Sequence, residues 1–227
     1  MLLVIVGKTG VGKDTVSKSL YNMGYKKIVT YTTRPKRQNE TDGEDYHFIS
    51  KDMFSAMKSL NFFADTTSFR AYNNGKKETW HYGLTQQSLV EDNYYSSYSN
   101  KGDKVLIVNP SGLKTLRKSN TPMLVFHVDL ATDVIRERLE QRGDSKKEIN
   151  RRLKADAKDF KDIDKYVDFK ISNDGTLSSG TIATIINTIF TNYKRSMNVD
   201  RSGNVLNSHE KSTGEEPHFS NKNMTSK

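Results

Sequence analysis

Cysteine is absent from this 227-residue chain, tryptophan occurs once and proline four times. The absence of cysteine excludes disulfide frameworks, cysteine-based zinc sites and thiol nucleophiles, and it fits a reducing compartment. No apolar run approaches the ~18 residues that a membrane-spanning helix needs. The first residues, MLLVIVGKTG, also lack the basic segment and cleavage site of a signal peptide. We therefore expect a cytoplasmic protein with no membrane partner.

Acidic residues are outnumbered by basic ones. The chain has 36 Lys and Arg against 27 Asp and Glu, a net charge of +9, and only 34% of its residues are hydrophobic. Such an excess of positive charge indicates an anionic partner, either nucleic acid, a membrane surface or a small phosphorylated substrate. The charge by itself does not choose among these three.

Apolar residues are scarcest in residues 196–227, where they show no period. We predict that this segment is a disordered polar tail and that residues 1–195 form the folded domain. The tail carries four basic and four acidic residues, so the whole excess charge lies in residues 1–195. A neutral tail argues against a nucleic-acid-binding arm, and no nucleic-acid motif is present, so we expect no nucleic-acid partner.

Short apolar runs alternate with amphipathic segments along the first 195 residues. Strands are predicted at 2–6, 27–31, 104–108, 123–128 and 169–171. Helices are predicted at 15–23, 52–60, 132–141, 147–160 and 176–193. Residues 61–83, rich in aromatics and threonine, indicate a small β-rich lobe. The alternation predicts an α/β fold with a central parallel sheet covered by helices on both faces.

A glycine-rich loop, Gly7-Lys8-Thr9-Gly10-Val11-Gly12-Lys13, joins the first strand to the first helix. The pattern G-x-x-x-x-G-K in this position predicts a P-loop, whose backbone N–H groups and lysine hold nucleotide phosphates. The predicted ATP-binding residues here are Gly7, Gly10, Val11, Gly12, Lys13, Asp14 and Thr15. Asp14 stands where P-loops place the Ser or Thr that handles Mg²⁺, so either Asp14 or Thr15 is the candidate metal ligand.

Two further motifs follow, Thr32-Thr33-Arg34-Pro35-Lys36-Arg37 and Gly43-Glu44-Asp45-Tyr46-His47-Phe48-Ile49-Ser50. With the P-loop, they resemble the guanylate kinase family, over residues 1 to about 193. The resemblance implies a P-loop kinase fold with an inserted lobe at about 31–90 for the nucleoside monophosphate and an arginine-rich lid at about 142–152. It also implies ATP and Mg²⁺ as cofactors.

The resemblance assigns Arg34 and Arg37 to the acceptor phosphate, with Tyr46 donating its hydroxyl to the same group. Arginine suits this role because its planar fork binds phosphate through two hydrogen bonds, which lysine cannot do. Tyr82 resembles a second phosphate contact of the family, although packing at a lobe surface explains a tyrosine there equally well. Leu84 stands where the family carries a hydroxyl residue, and Thr85 is the candidate replacement.

Guanine presents N–H donors, so a site that selects it needs acceptors. The family uses a Glu after an aromatic pair and an Asp at the end of a later strand. Counting places Ala64 at the Glu position with Asp65 one step on, and Asn109 at the Asp position. An amide both accepts and donates, so we expect softer base discrimination. Thr30 is a further candidate base contact, and an exposed loop carboxylate is the alternative interpretation of Asp65.

Residues 138–143, Arg-Leu-Glu-Gln-Arg-Gly, resemble the family's lid together with Arg152-Leu153. The resemblance implies that Arg138 and Arg142 close over the donor phosphates and that Arg152 bridges donor and acceptor. With Lys13, these arginines are the predicted catalytic residues, because phosphoryl transfer depends on positioning and on cationic stabilisation. Asn173 is the predicted adenine contact, with an ordinary turn as the alternative.

The expected function is the transfer of the ATP γ-phosphoryl group to GMP or dGMP. Another deoxynucleotide or a ribose bisphosphate is an alternative acceptor, since the Gly-Lys-Asp-Thr end of the P-loop resembles that of some phage deoxynucleotide kinases. A non-catalytic guanylate-kinase-like binding module is the alternative of another class. Such modules typically lose the P-loop lysine and lid arginines, which are all present here. The sequence does not indicate an oligomeric state.

Overall fold

The computed structural model describes residues 1–38, 40–73, 76–89, 102–119 and 121–197, with side chains described throughout except at 71–73 and 76. Residues 198–227, most of the predicted tail, therefore lie outside the described residues. So do positions 74 and 75 within the predicted β-rich lobe.

The central sheet contains five parallel strands. In chain order they are β1 (Leu2–Val6), β2 (Lys26–Lys27), β7 (Lys104–Ile107), β8 (Met123–Leu130) and β9 (Phe169–Asn173). The spatial order is β2-β7-β1-β8-β9, so β1 lies in the middle. All five residues of β1 are buried, because helices cover both faces of the sheet, and this is why the strand is a continuous apolar run.

Seven α-helices occur among the described residues. They are α1 (Lys13–Asn22), α2 (Lys51–Ser59), α3 (Gln86–Leu89), α4 (Pro110–Leu116), α5 (Thr132–Gln141), α6 (Lys146–Asp159) and α7 (Ser179–Met197). Leu20 of α1, Leu139 of α5 and Ile186 of α7 belong to the apolar cluster on one face of the sheet. Leu113 of α4 and Ile163 of a 3-10 turn belong to the cluster on the other face. The α/β class with helices on both faces is confirmed.

A second, smaller sheet forms the inserted lobe. Its strands are β3 (Tyr31–Thr32), β4 (His47–Phe48), β5 (Phe63–Asn73) and β6 (Lys76–Thr85), arranged in the order β4-β3-β6-β5. The long strands β5 and β6 pair antiparallel, with a register shift between Phe63 and Asp65. Ala64 is thus the extra residue of a bulge, which changes the face on which the following side chains lie. Phe54 of α2 stacks on Phe63 at 4.7 Å between ring centroids.

The largest differences between the sequence-based elements and the structure concern a strand, a missed helix and the end of α7. The prediction of a single strand at 27–31 is wrong. Lys26 and Lys27 pair with β7 in the central sheet, whereas Tyr31 and Thr32 pair with β6 in the lobe. The seven-residue helix α4 is too short for periodicity to reveal, although its capping residue and Pro110 signal its start. Helix α7 extends to Met197, two residues beyond the predicted domain limit. No helix in the described ranges is long and apolar enough to span a membrane.

Candidate active site

The P-loop leaves β1 at Gly7 and enters α1 at Lys13. A Cβ on Gly7 would lie 2.5 Å from the carbonyl oxygen of Val128, so only glycine fits between the loop and β8. Gly10 and Gly12 have φ angles of +82° and +94°, a region that favours glycine. The sequence therefore folds into a tight turn between β1 and α1.

Lys13 curls back over this loop. Its Nζ donates to the carbonyl oxygens of Gly7 at 2.7 Å and Lys8 at 2.8 Å. Burial lowers the pKa of the Lys13 ammonium, opposed by the nearby carboxylates of Asp14 and Asp156. The ammonium is thus fixed at the centre of the loop rather than free in solvent.

The three predicted lid arginines lie in different environments. Arg138 of α5 reaches the P-loop, where its Nη1 donates to the carbonyl oxygen of Val11 at 3.3 Å. Arg142 forms an ion pair with Asp144. Arg152 of α6 donates to Glu148 at 2.7 Å. Only Arg138 therefore contacts the P-loop directly, while Arg142 and Arg152 each pair with a neighbouring carboxylate.

Glu148 of α6 is a carboxylate that pairs with two arginines of the same helix. Hydrogen bonds from Arg151 lower its pKa to about 2, with a further contribution from Arg152 and against the effect of burial. Both arginines lie within one helical turn of Glu148. The carboxylate thus holds two cations on the same stretch of α6.

Asp156, on the same helix, is a site residue that the sequence interpretation missed. Its Oδ2 accepts a hydrogen bond of 2.8 Å from the backbone N–H of Thr9 in the P-loop. Burial raises the pKa of the Asp156 carboxyl, and the Thr9 and Lys13 contacts oppose that rise. Asp156 lies four residues after Arg152, hence on the same helix face, and that spacing is the signal that could have identified it.

A cavity of about 330 Å³ lies where the lobe meets α1. Its polar lining includes Asp14, Thr30, Arg34, Arg37, Tyr46 and Tyr82. The rings of Tyr46 and Tyr82 meet edge to face, with centroids 5.9 Å apart, and burial raises the pKa of Tyr46 to about 12. Two arginines and two phenol groups thus face one volume. These are four of the residues predicted to bind the acceptor nucleotide, and the structure brings them together.

Arg34 is nearly buried in this cavity, with 5% of its surface exposed. Its guanidinium lies over the rings of Tyr46 at 5.4 Å and Phe48 at 5.6 Å. Glu40 pairs with it through two hydrogen bonds, of 2.6 and 2.9 Å. Burial opposes the charge, but the bonds to Glu40 raise the pKa of Arg34. The side chain of Arg37, in contrast, is 67% exposed.

Glu40, also missed by the sequence interpretation, fixes both arginines. Its Oε2 accepts from the Arg37 backbone N–H at 2.8 Å, besides its two bonds to Arg34. Nη1 of Arg34 further donates to the carbonyl oxygen of Pro35. A guanidinium has five N–H groups. In Arg34, the N–H at Nε and one N–H at Nη2 have no hydrogen-bond partner among the described residues. These two lie on one edge and form a two-donor fork of the kind that suits a phosphate.

A second cavity, of about 310 Å³, extends from the P-loop to the end of β7. Residues of the P-loop line one end, and Asp65, Thr67, Asn109 and Gly112 line the other. The bulge at Ala64 explains why Asp65, rather than the residue that counting selects, faces this volume. Burial raises the pKa of the Asp65 carboxyl. The two cavities share Thr30, Tyr46, Tyr82, Leu106 and Ile107, so they are neighbours.

Two other predicted acceptor-site residues have structural partners. Asn109 caps α4, its Oδ1 accepting from Gly112 N–H at 2.7 Å and its Nδ2 donating to Thr67 at 3.3 Å. The Thr85 hydroxyl accepts from the backbone N–H of Ser88 and so caps α3. Leu84, not Thr85, lines the cavity of about 310 Å³.

Asn173 and Thr15 lie outside both cavities. The Oδ1 of Asn173 accepts from the backbone of Gly175 and Leu177, and its Nδ2 donates to the Leu177 carbonyl oxygen. Its amide therefore shapes its own turn. Thr15 is exposed in the first turn of α1.

In the described part of the chain, no group of three or more His, Cys, Asp or Glu side chains could hold a metal ion. A magnesium ion here would depend on nucleotide phosphates and water for most of its ligands.

Comparison with known proteins identifies the family. The model of the family described as guanylate kinase matches residues 1–188. The chain belongs to the guanylate kinase family. The guanylate kinase of Aster yellows witches'-broom phytoplasma (strain AYWB) is 30% identical over 206 residues, which cover 87% of this chain and 90% of the relative. That of Onion yellows phytoplasma (strain OY-M) is 29% identical over 205 residues, with the same coverage.

A solved structure shares the family fold. The crystal structure of guanylate kinase from Anaplasma phagocytophilum matches with a TM-score of 0.57 and 20% sequence identity, covering 86% of each chain. At that identity the likeness concerns the fold, and it agrees with the parallel sheet and covering helices described above.

Proposed function

We propose that this protein is an ATP-dependent nucleoside monophosphate kinase that phosphorylates GMP or dGMP. The observation that carries the proposal is the pair of neighbouring cavities, one reaching the P-loop and the other lined by Arg34 and Arg37. Their shared wall supports an acceptor whose phosphate meets Arg34 and Arg37 in one cavity while its base extends toward Asp65 in the other, with the donor phosphates at the P-loop. Membership of the guanylate kinase family supports the same assignment.

The reaction needs little covalent chemistry from the protein. An oxygen of the acceptor phosphate bonds to the γ-phosphorus of ATP, while the bond from that phosphorus to the β–γ bridging oxygen breaks and ADP leaves. The P-loop amides and Lys13 hold the donor phosphates, and Arg138 adds positive charge beside the loop. Arg34, oriented by Glu40, presents its free fork to the acceptor phosphate, with Tyr46 as a hydroxyl donor.

Arg142 and Arg152 complete this proposal as lid residues. Each is paired with a carboxylate close by in the sequence, so each requires a change of partner before it meets a phosphate. Magnesium, when bound, neutralises charge on the β- and γ-phosphates. Of the two candidate ligands, Asp14 lines the acceptor cavity and is the one we favour over Thr15.

Base selection in this proposal rests on Asp65. Its carboxylate lines the cavity that reaches the P-loop, whereas the Oδ1 of Asn109 is engaged in capping α4. A carboxylate accepts hydrogen bonds from the N1–H and N2–H₂ groups of guanine, and adenine offers no such pair of donors on that edge. Discrimination through one carboxylate should be weaker than through two.

Turnover with each nucleoside and deoxynucleoside monophosphate, with ATP and Mg²⁺ as donor, tests the proposal. We expect GMP and dGMP to be the best acceptors, and Asp65→Asn to reduce their kcat/KM by about tenfold to 100-fold. Asp52→Asn, an exposed carboxylate at the start of α2, is the matched control. Turnover on dTMP or dAMP but not GMP would contradict the guanine assignment. Tight GMP binding without turnover would favour a binding module.

A further inference from the structure

The carboxylate of Asp156 occupies an anion site in the P-loop. It accepts the Thr9 N–H at 2.8 Å, and the Lys13 ammonium is close enough to favour its ionised form. An inward P-loop amide beside a lysine is the arrangement that binds phosphate. Asp156 comes from α6, which lies far along the chain from the loop, so the tertiary fold delivers this negative charge to the donor site.

We infer that Asp156 competes with the terminal phosphates of ATP for the P-loop and thereby sets the affinity of the protein for its donor. One N–H cannot give a full hydrogen bond to a carboxylate and a phosphate at once, and the two anions repel each other at short range. ATP binding therefore requires Asp156 to leave Thr9. The inference rests on the proposed role of ATP as the phosphoryl donor.

The same contact connects the donor site with the lid. Arg152 precedes Asp156 by one helical turn on the same face of α6, and it pairs with Glu148 on that helix. Ile149 anchors α6 in the core, and the Asp156–Thr9 bond is a further link from this helix to the P-loop. Displacement of Asp156 by ATP therefore removes one contact between the donor site and the helix that carries Arg152.

Calorimetric titration of the full-length protein with ATP and Mg²⁺, without an acceptor, tests the inference. Asp156→Asn keeps a hydrogen-bond acceptor for Thr9 but removes the charge. We expect it to lower the Kd for ATP by about threefold to tenfold, the scale of one charged hydrogen bond, and to leave the Kd for GMP unchanged. Asp156→Glu should keep the wild-type value. Asp159→Asn, which removes a carboxylate from the same cavity, is the matched control.

An unchanged Kd for ATP in Asp156→Asn would overturn the inference, because the carboxylate would then not compete with ATP. A higher Kd would also overturn it, because Asp156 would then assist ATP binding. An equal gain in Asp159→Asn would also overturn it, because the effect would then be one of overall charge. Asp156→Ala gives the same comparison if the Asn variant does not fold. Absence of ATP binding in the wild type and all variants would overturn the proposed donor as well, whereas a changed acceptor preference would leave this inference intact.

Discussion

The two halves of the site are built differently. On the donor side, the loop depends on main-chain geometry, since Gly7 lies against Val128 and two further glycines adopt positive φ angles. This loop leaves a strand that is buried along its whole length. On the proposed acceptor side, the candidate ligands are side chains, and they depend on each other, with Arg34 held by Glu40 and lying over two aromatic rings.

The two halves should therefore respond differently to substitution. A site made of backbone amides tolerates substitution of most side chains around it but not of its glycines or its lysine. The binding properties of a site made of side chains change with single substitutions. The lobe that carries this site also has much of its surface in contact with solvent. We therefore expect changes on the donor side to act mostly on turnover, and changes on the acceptor side to act mostly on affinity and preference.

Replacement of the P-loop lysine should have the largest effect. We expect Lys13→Ala to lower kcat by about 10³-fold or more, because a cation on the transferred phosphoryl group contributes on that scale. Steady-state kinetics with ATP and GMP measure the loss, and circular dichroism checks the fold. Lys8→Ala, which removes a lysine of the same loop that pairs with Asp129 instead, is the control. Turnover that survives in Lys13→Ala would contradict the P-loop assignment.

A smaller loss is expected on the acceptor side. Arg34→Lys keeps the charge but removes the fork, so we expect kcat/KM for GMP to fall by about tenfold to 100-fold, the value of a charged hydrogen bond or two. Glu40→Gln should have a lesser effect in the same direction, since it only loosens Arg34. The KM for ATP should not change in either variant. Arg136→Lys, on α5, where the arginine donates to Asn150, is the control, and an equal loss there would contradict a specific role for Arg34.

The smallest effect concerns stability and belongs to the large sheet. His127 of β8 is buried, and neither ring nitrogen has a hydrogen-bond partner in the described part of the chain. Burial lowers its pKa, opposed by Asp129 and Asp164, while Lys170 acts with burial. The unfolded chain, with a His pKa of about 6.5, then binds more protons than the folded one, so the free energy of unfolding decreases as pH falls below that value.

Urea unfolding at a series of pH values from neutral to mildly acidic measures this slope. We expect His127→Phe, which keeps a ring against Phe160, to lose less stability over that range than the wild type. His47→Phe, in the lobe, is the comparison and should follow the wild-type curve. Identical slopes for wild type and His127→Phe would show that the histidine does not contribute.

Much of the donor side could be predicted from the sequence, because its signals are local. The β1 strand, the loop glycines and Lys13 are contiguous, and each is required by backbone geometry that one short segment determines. The helices α5 and α6 follow from their period in the same way. The acceptor side was predicted less completely. Glu40 gives no periodic signal, and the importance of Asp65 over Ala64 depends on a bulge that arises only when β5 pairs with β6.

The α/β class, the P-loop and the family were predictable from the sequence alone, since these depend on apolar periodicity and on contiguous motifs. The tertiary fold was needed to show that Asp65 and Asp156 line the cavity that reaches the P-loop. Asp65 enters the cavity through a strand-pairing irregularity, and Asp156 reaches Thr9 across 147 positions of sequence. Long-range strand pairing and helix packing position these carboxylates. No local sequence pattern indicates which carboxylate will contact which backbone amide.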